Sequence, residues 1–415
     1  MTSPEQLKLL PQVGKWLVLA LLVAILAGTA SALFLHALDW ATQTREAHRW
    51  LIGLLPLAGF VVAWVYMRVG QNVEAGNNLL LDEIHDPQKT VPLRMAPLIL
   101  LSTVISHLFG ASVGREGTAV QMGGALADQV TRLFKLSPAD RRILLMAGIS
   151  AGFASVFGTP LAGAVFGLEV LVIGRMRYDA LWPCLAAAIA ADHITAMWGI
   201  VHTHYEAGVV PVLSAWPVVA VLIAGAIFGL VGMVFSSSTH AMSAFMKRHV
   251  AYGPLRPVLG GAVIALLVWF GDGWRFVGLG IPTISQAFTQ PLPSWDFAAK
   301  LLYTMGSIGT GFKGGEVTPL FFIGATLGNA LAPLLHLPIG MLAALGFVAV
   351  FSGAANTPLA CTLMALELFG SQIGMYAALA CVVSYLFSGH TGIYRSQRGT
   401  KLSEAVALSS DSRDQ

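Results

Sequence analysis

The chain has 415 residues, of which 56% are hydrophobic and only 11% are charged, and its mean hydropathy is +0.72. Most of such a chain must contact lipid or other buried helices, which excludes an ordinary water-soluble domain. The net charge of +3 comes from a few basic clusters, so it reports membrane topology and gives no reason to expect nucleic acid as a partner.

The basic residues gather in four clusters, which the positive-inside rule places on the cytoplasmic side. The clusters are Arg132, Lys135, Arg141 and Arg142; Arg175 and Arg177; Lys247, Arg248 and Arg256; and Arg395, Arg398 and Lys401. We therefore predict a multi-pass membrane protein whose basic loops face the cytoplasm. The first apolar run continues through Leu35, which favours a retained membrane helix over a cleaved signal peptide.

A glycine-rich break between two apolar runs contains Glu116. The runs 97–110 and 119–134 are each short for a span of roughly 20 residues, so we predict a re-entrant pair with Glu116 near its apex. A charge at mid-membrane costs roughly 2.5–3.5 kcal/mol, and irregular backbone there must be buried in protein or line a cavity. Amides at the start of the next helix can bind an anion, so the break suggests transport. The alternative is a loop acid paired with Arg115.

The two halves of the sequence resemble each other, which indicates a duplication. Three pairs of segments match in the same order: Gly76-Asn77-Asn78-Leu79-Leu80 with Gly278-Leu279-Gly280-Ile281-Pro282, Gly114-Arg115-Glu116-Gly117-Thr118 with Gly314-Gly315-Glu316-Val317-Thr318 at an offset of 200, and Thr159-Pro160-Leu161-Ala162 with Thr357-Pro358-Leu359-Ala360. The basic clusters make the repeats antiparallel, as in inverted-topology transporters. We divide the chain into a tail (1–15), a first repeat (16–205), a second, inverted repeat (206–401) and a tail (402–415).

The second pair of segments carries a resemblance to a known family. Gly114-Arg115-Glu116-Gly117 resembles a motif of the CLC family of anion channels and anion/proton antiporters, and residues 311–319 resemble its second-half counterpart. The resemblance covers roughly residues 16–401. It implies an all-α CLC fold with re-entrant half-helices and a homodimer with one pore per subunit. It also implies an inner or plasma membrane location with both termini cytosolic. It also implies that Glu116 is a gate that competes with anions and passes protons.

Three departures from the chloride pattern distinguish this chain within the family. Chloride-selective members carry Gly-Ser-Gly-Ile-Pro where this chain has Gly76-Asn77-Asn78-Leu79-Leu80. Thr118 stands where most members have proline, and Val170 stands where chloride antiporters have the acid that receives the internal proton. All three departures are similar to the fluoride/proton antiporter branch. In that branch the acid of the Gly-Gly-Glu-Val-Thr motif, here Glu316, is part of the core.

Fluoride holds water tightly, so its site needs strong, converging donors, which side-chain amides, hydroxyls and helix-start amides can supply. The expected anion-binding residues are Gly76, Asn77, Asn78, Leu79, Gly117, Thr118, Val317, Thr318 and Tyr394. Glu116 and Glu316 are the expected gating and proton-transfer residues.

Simpler interpretations of several residues remain open. Glu316 could be a buried acid neutralised by Lys313, Asn77 a turn residue, and Tyr394 a cap of the last helix. Glu169 and Glu367 are favoured as structural acids that pair with backbone amides. His202 and His204 are expected to be a solvated pair in an outer loop.

We therefore predict a proton-coupled fluoride exporter that confers fluoride resistance, with fluoride and protons as substrates. A chloride-selective channel or a Cl⁻/H⁺ exchanger is the alternative. No nucleophile–base pair and no zinc-ligand pattern stands out in the sequence, so neither an enzyme activity nor a cofactor or metal is expected.

Overall fold

The computed structural model describes residues 5–389 and 392–399, and the side chains from Leu10 onward. The described residues form α-helices joined by short turns and 3₁₀ segments, and they contain no β-sheet. The expected tail 402–415, Lys401, His390 and Thr391 lie outside the described residues.

Sixteen α-helices occur in the described part of the chain, eight in each half. Those of the first half are α1 (Glu5–Ala47), α2 (Leu55–Val69), α3 (Asn77–His85), α4 (Met95–Phe109), α5 (Glu116–Leu133), α6 (Pro138–Phe157), α7 (Pro160–Glu169) and α8 (Leu181–Met197). Those of the second half are α9 (Ala215–His249), α10 (Leu255–Gly271), α11 (Ile281–Ala287), α12 (Asp296–Thr310), α13 (Val317–Leu335), α14 (Ile339–Ala355), α15 (Pro358–Phe369) and α16 (Gly374–Phe387). Helix α1 thus extends ahead of the expected boundary at Trp16.

The helix bounds make α1–α8 correspond one to one with α9–α16. Helices α4 and α12 both have 15 residues, and each ends at a glycine in the left-handed region, Gly110 and Gly311. Helices α7 and α15 each begin with a proline after a threonine, Thr159 and Thr357. Proline suits the first helical position, where no backbone N–H is needed for the ladder. The repeated sequence segments therefore form repeated structural elements.

Helices α5, α6, α13 and α14 are the most buried and form the centre of the molecule. Small residues let them cross closely. A Cβ atom added at Gly123 would lie 2.2 Å from the Gly148 carbonyl oxygen, and one added at Gly324 would lie 2.0 Å from that of Gly346. The same glycine-to-glycine crossing is thus built once in each half.

Five helical stretches within the described residues are long and apolar enough to cross a membrane. They are Leu10–Ala47, Arg49–Val69, Tyr178–Met197, Ala215–His249 and Val317–Leu335. Several other helices are apolar but shorter, including α4, which leads to the glycine-rich break. This mixture of long and short apolar helices fits an all-α membrane protein with half-helices.

Candidate functional site

The two glycine-rich breaks meet at the centre of the molecule. The Gly114 N–H donates to the Gly315 carbonyl at 2.6 Å, and the Gly315 N–H donates to the Gly114 carbonyl at 2.8 Å. A Cβ atom added at Gly315 would lie 2.7 Å from the Gly117 amide nitrogen, so only glycine permits this approach. The bridge places the first turns of α5 and α13 next to each other, as an inverted-repeat transporter plan requires.

The Glu116 carboxylate lies at the N-terminus of the other half's helix, α13. It accepts hydrogen bonds from the Thr318 hydroxyl, from the Thr318 backbone N–H at 3.1 Å and from the Arg115 backbone N–H at 3.1 Å. Only 1% of Glu116 is exposed. Arg115 Nε lies 3.6 Å from a carboxylate oxygen, so part of the expected pairing with Arg115 is present. A negative group held by helix-start donors occupies the position that a bound anion would take.

The structural register of the two breaks differs by one residue from the sequence alignment. Helices α4 and α12 begin at 95 and 296, and α5 and α13 begin at 116 and 317, which is an offset of 201 in each case. The alignment at 200 paired Glu116 with Glu316, whereas the structure pairs Glu116 with Val317 and Glu316 with Arg115. Both Arg115 and Glu316 are helix caps with right-handed helical backbone. The two acids are therefore not symmetry counterparts.

A cavity of about 770 Å³, here called the large cavity, approaches the break from one side. It is lined by, among others, Tyr66, Gly76, Asn77, Asn78, Gln121, His240, Lys247, Lys313, Glu316 and Tyr394. Exposed lining residues such as Gln71 and Lys247 connect it to the surface. It therefore leads from the surface to Glu316.

Glu316 is half-buried beside this cavity and forms no ion pair among the described residues. Lys313, the expected neutralising partner, instead places its Nζ 4.3 Å from the centre of the Tyr66 ring. The carboxylate of Glu316 is thus free to meet water, a proton or an ion that enters the large cavity.

A second space of about 20 Å³, here called the gate pocket, lies on the Glu116 side of the break. Its lining includes Arg115, Glu116, Phe157, His202, Tyr205, Phe321, Phe347 and Thr318. A volume of this size suffices for about one water molecule. Glu116 thus adjoins a nearly closed space, whereas Glu316 adjoins an open one.

The first-repeat asparagines lie at the wall of the large cavity but differ in their contacts. Asn77 is 9% exposed, and its Oδ1 has no hydrogen-bond partner among the described residues. Its Nδ2 lies beside the Gly117 backbone. Asn78 Oδ1 accepts a hydrogen bond from the Ser396 backbone N–H at 3.0 Å. Asn77 therefore has a side-chain amide near the break whose hydrogen-bonding groups are not all used, while Asn78 also supports the C-terminal segment.

Tyr394 lies in a non-helical segment, residues 392–399, here called the strap. The tyrosine is 6% exposed, lines the large cavity and packs its ring edge against Phe166. It stands seven residues beyond the end of α16, so it does not cap that helix. The strap is anchored by Gln397, whose Nε2 donates to the carbonyls of Val170 and Ala355.

The remaining expected anion-binding residues do not all face the two spaces. The Thr118 hydroxyl pairs with the Thr103 hydroxyl of α4 at 2.7 Å, so it supports helix packing. Leu79, Gly117 and Val317 line neither space. Gly117 and Val317 still stand in the first turns of α5 and α13, where backbone amides face the break.

Glu169 and Glu367 pair with backbone amides, as expected. The Glu169 carboxylate accepts from the Leu359 and Ala360 N–H groups at the start of α15, at 3.0 and 2.8 Å. The Glu367 carboxylate accepts from the Leu161 and Ala162 N–H groups at the start of α7, both at 2.8 Å. Each half therefore caps a helix of the other half.

The expectation of a solvated histidine pair is wrong for His202. His204 is exposed, but His202 is half-buried, lines the gate pocket and covers Gly158. Burial, reinforced by the Arg115 charge, lowers the pKa of His202 to about 4, so its ring is neutral near pH 7. Sequence reasoning also missed Gln121, His240 and Lys247 as residues of the large cavity, because a helical spacing cannot show which polar residue faces a cavity.

Comparisons with known proteins agree with this geometry. The family model described as "Voltage gated chloride channel" matches residues 58–389. The chain is 65% identical over 401 residues to a "Chloride/fluoride channel protein" of Pseudomonas syringae pv. tomato, which covers 95% of this chain and 89% of that protein.

Two solved structures share the fold. A CLC-type fluoride/proton antiporter superimposes with a TM-score of 0.90 at 36% identity, covering 93% of this chain and 98% of that one. A slow cyanobacterial Cl⁻/H⁺ antiporter gives a TM-score of 0.78 at 22% identity, covering 96% and 98% of the two chains, which supports the fold alone. With its paired breaks and its inverted eight-helix halves, the chain belongs to the CLC family, whose members are integral membrane transporters and channels.

Proposed function

We propose that this chain is a proton-coupled fluoride exporter that protects the cell from fluoride. The observation that carries the proposal is the Glu116 carboxylate, which Thr318 holds at the start of α13 and to which the Arg115 backbone N–H also donates. An anion that reaches this position must displace the carboxylate, and a displaced carboxylate can take up a proton. Competition between the anion and Glu116 therefore links the two movements.

Glu316 is the second acid of the proposed pathway. It lines the large cavity, whereas Glu116 lines the gate pocket, so a proton can be exchanged separately on each side of the break. Two acids at this depth are costly unless they bind protons or ions. Val170 stands where chloride antiporters have their internal acid, which leaves Glu316 as the best placed proton carrier.

Fluoride as the transported anion is favoured by the donors around the break. We assign anion contacts to the backbone of Gly76, Leu79, Gly117 and Val317 and to side-chain donors. The side-chain donors are Asn77, Asn78, Thr318 and Tyr394, while Thr118 is given an indirect role through its bond to Thr103. The similarity to a fluoride/proton antiporter and to a "Chloride/fluoride channel protein" supports the same choice.

The membrane arrangement is proposed on the same basis. The large cavity carries Lys247, Arg256, Lys313 and Arg395, so the positive-inside rule places its mouth on the cytoplasmic side. The gate pocket then faces outward and both termini are cytosolic, with repeats at 16–205 and 206–401. A homodimer in the inner or plasma membrane completes the proposal, and mass measurement of the purified protein in detergent tests the dimer.

Efflux from proteoliposomes decides the transported ions. Purified protein is reconstituted with fluoride and chloride inside, and both anions and the pH are followed with selective electrodes. We expect fluoride efflux that is coupled to proton movement and exceeds chloride efflux. Chloride efflux that equals or exceeds fluoride efflux, with or without proton movement, would instead establish the chloride exchanger or channel. The word "chloride" in the name of the Pseudomonas syringae relative keeps this as the second candidate.

A further inference from the structure

His240, on α9, joins the strap through both of its ring nitrogens. Its Nε2 lies 3.0 Å from the Gly392 carbonyl oxygen, and its Nδ1 lies 3.2 Å from Arg395 Nε. The ring is half-buried at the wall of the large cavity. The function proposed above gives this histidine no role.

The two bonds fix the protonation state of the ring. A carbonyl oxygen can only accept, so Nε2 must carry a proton; a guanidinium can only donate, so Nδ1 must offer its lone pair. A second proton on Nδ1 would face the Arg395 N–H and would place two cations where the structure has a 3.2 Å hydrogen bond. This arrangement therefore exists only with a neutral imidazole.

The bonded positions stand on either side of Tyr394. Gly392 precedes the tyrosine by two residues, Arg395 follows it directly, and the next residue, Ser396, donates to Asn78. A shift of this part of the strap therefore moves the phenol and the support of Asn78 together. Both residues lie in the large cavity with Glu316.

The surroundings of His240 are mainly cationic. Arg395 is the charged group in contact with the ring, and Lys247 lies two turns further along α9. Across the cavity stand Arg256 from α10 and Lys313 from the second break, with Glu74 and Glu316 as the acids. A protonated His240 would thus join a group of four cations, and Arg395, which contacts the ring and is exposed, has room to move away.

We propose that His240 is a positioning residue that holds the strap, and with it Tyr394, in place while its ring is neutral, and that acid on the cavity side releases this hold. The protonated ring repels Arg395, and the resulting shift of the strap withdraws the Tyr394 phenol from the anion path. Anion binding is weakened as a result. Gln397 and the Ile393 N–H, which donates to the Ala354 carbonyl at 2.8 Å, continue to anchor the strap, so the movement is confined to Arg395 and the phenol of Tyr394. The inference rests on the function proposed above because it concerns the same site.

The test is the KM of anion efflux from proteoliposomes with equal pH on both faces. Rates are measured at about pH 7.5 and about pH 5, the second well below the ordinary imidazole pKa of roughly 6.5 because the contact with Arg395 opposes the second proton. His240→Gln retains a donor and an acceptor but does not titrate. We expect the KM of the parent protein to rise on acidification by about two- to tenfold more than that of the variant, the loss expected for one or two hydrogen bonds. The maximal rate should change less than the KM.

Two further variants complete the test. His249→Gln, at the exposed end of the same helix, should follow the parent at both pH values. His240→Leu removes both bonds and should show a raised KM already at about pH 7.5. The same KM ratio in the parent and in His240→Gln, or a normal KM in His240→Leu, would overturn the proposal. If His240→Leu does not fold, the parent and His240→Gln decide alone.

The experiment separates this inference from the proposed function. Both KM values are measured for whichever anion the reconstituted protein carries. Chloride transport without fluoride transport would refute the fluoride exporter, and the ratio measured with chloride would still decide the role of His240.

Discussion

Equivalent positions in the two halves carry different side chains, and the space beside them is open in one half and filled in the other. In the first half, Ile99 of α4 and Gln121 of α5 line the large cavity beside Gly76. At the structural offset of 201, their counterparts in the second half are Lys300 and Phe322. Lys300 is fully buried, donates to the carbonyls of Phe276 and Gly278 at 2.9 and 2.7 Å, and lies over the Phe322 ring.

The contrast separates what the repeated backbone determines from what the side chains determine. The backbone supplies two breaks, two helix starts and two potential cavities. A lysine and a phenylalanine fill one of these cavities, whereas an isoleucine and a glutamine leave the other open. Within residues 5–389 and 392–399, the approach to the break is consequently wide toward Glu316 and narrow toward Glu116.

Replacing the acid on the narrow side should have the largest effect. Glu116→Gln retains the size of the side chain, but an amide cannot exchange a proton, so we expect proton coupling to be abolished. The measurement is fluoride accumulation driven by a pH gradient in proteoliposomes. Persistent accumulation would remove Glu116 from the role of gate and leave the narrow side without a proton site.

Replacing the acid on the wide side tests whether both approaches carry protons. Glu316→Gln should fold normally because the carboxylate forms no ion pair with any residue that the structure describes, yet proton movement driven by a fluoride gradient should disappear. Glu169→Gln is the matched control, since that acid serves a helix start, and its effect on coupling should be milder. Normal coupling in Glu316→Gln with loss in Glu169→Gln would reverse the assignment.

The asparagines at the cavity wall should influence selectivity more weakly. We expect Asn77→Ser with Asn78→Gly, which restores the Gly-Ser-Gly pattern, to lower the fluoride-to-chloride flux ratio. Asn77→Ser alone tests anion binding while the strap stays supported, because Asn78 then still accepts the hydrogen bond from the Ser396 N–H. An unchanged ratio in both variants would place selectivity at Thr318 or Tyr394.

The filled cavity predicts a stability effect. Lys300→Met retains an unbranched side chain but leaves two buried carbonyls without their donor, which costs about 1–3 kcal/mol. We expect a lower Tm in detergent with coupling retained, and Lys247→Met, at the exposed mouth of the large cavity, serves as the control. Equal Tm values for the two variants would mean that Lys300 does not stabilise the filled cavity.

Sequence patterns sufficed for the elements but not for the orientation of side chains. Prolines, glycines and apolar runs predicted the short helices on either side of the break. The duplicated segments led to the expectation that Glu169 and Glu367 pair with backbone amides, but not that each serves a helix of the other half. The offset of 201 was missed because the identical letters at 116 and 316 favoured 200. Whether Thr118 faces an anion or Thr103, and whether His202 is solvated, depends on contacts between distant segments that no local pattern encodes.

The reciprocal caps also bear on how the protein can be made. The bonds of Glu169 and Glu367 join residues 190 to 206 positions apart, so neither cap can form until most of the chain has been synthesised. Contacts of such long sequence separation slow folding. When the first half leaves the ribosome, the backbone N–H groups at the start of α7 therefore still lack the Glu367 carboxylate. Until the second half is synthesised, these groups depend on other hydrogen-bond acceptors in or near the membrane.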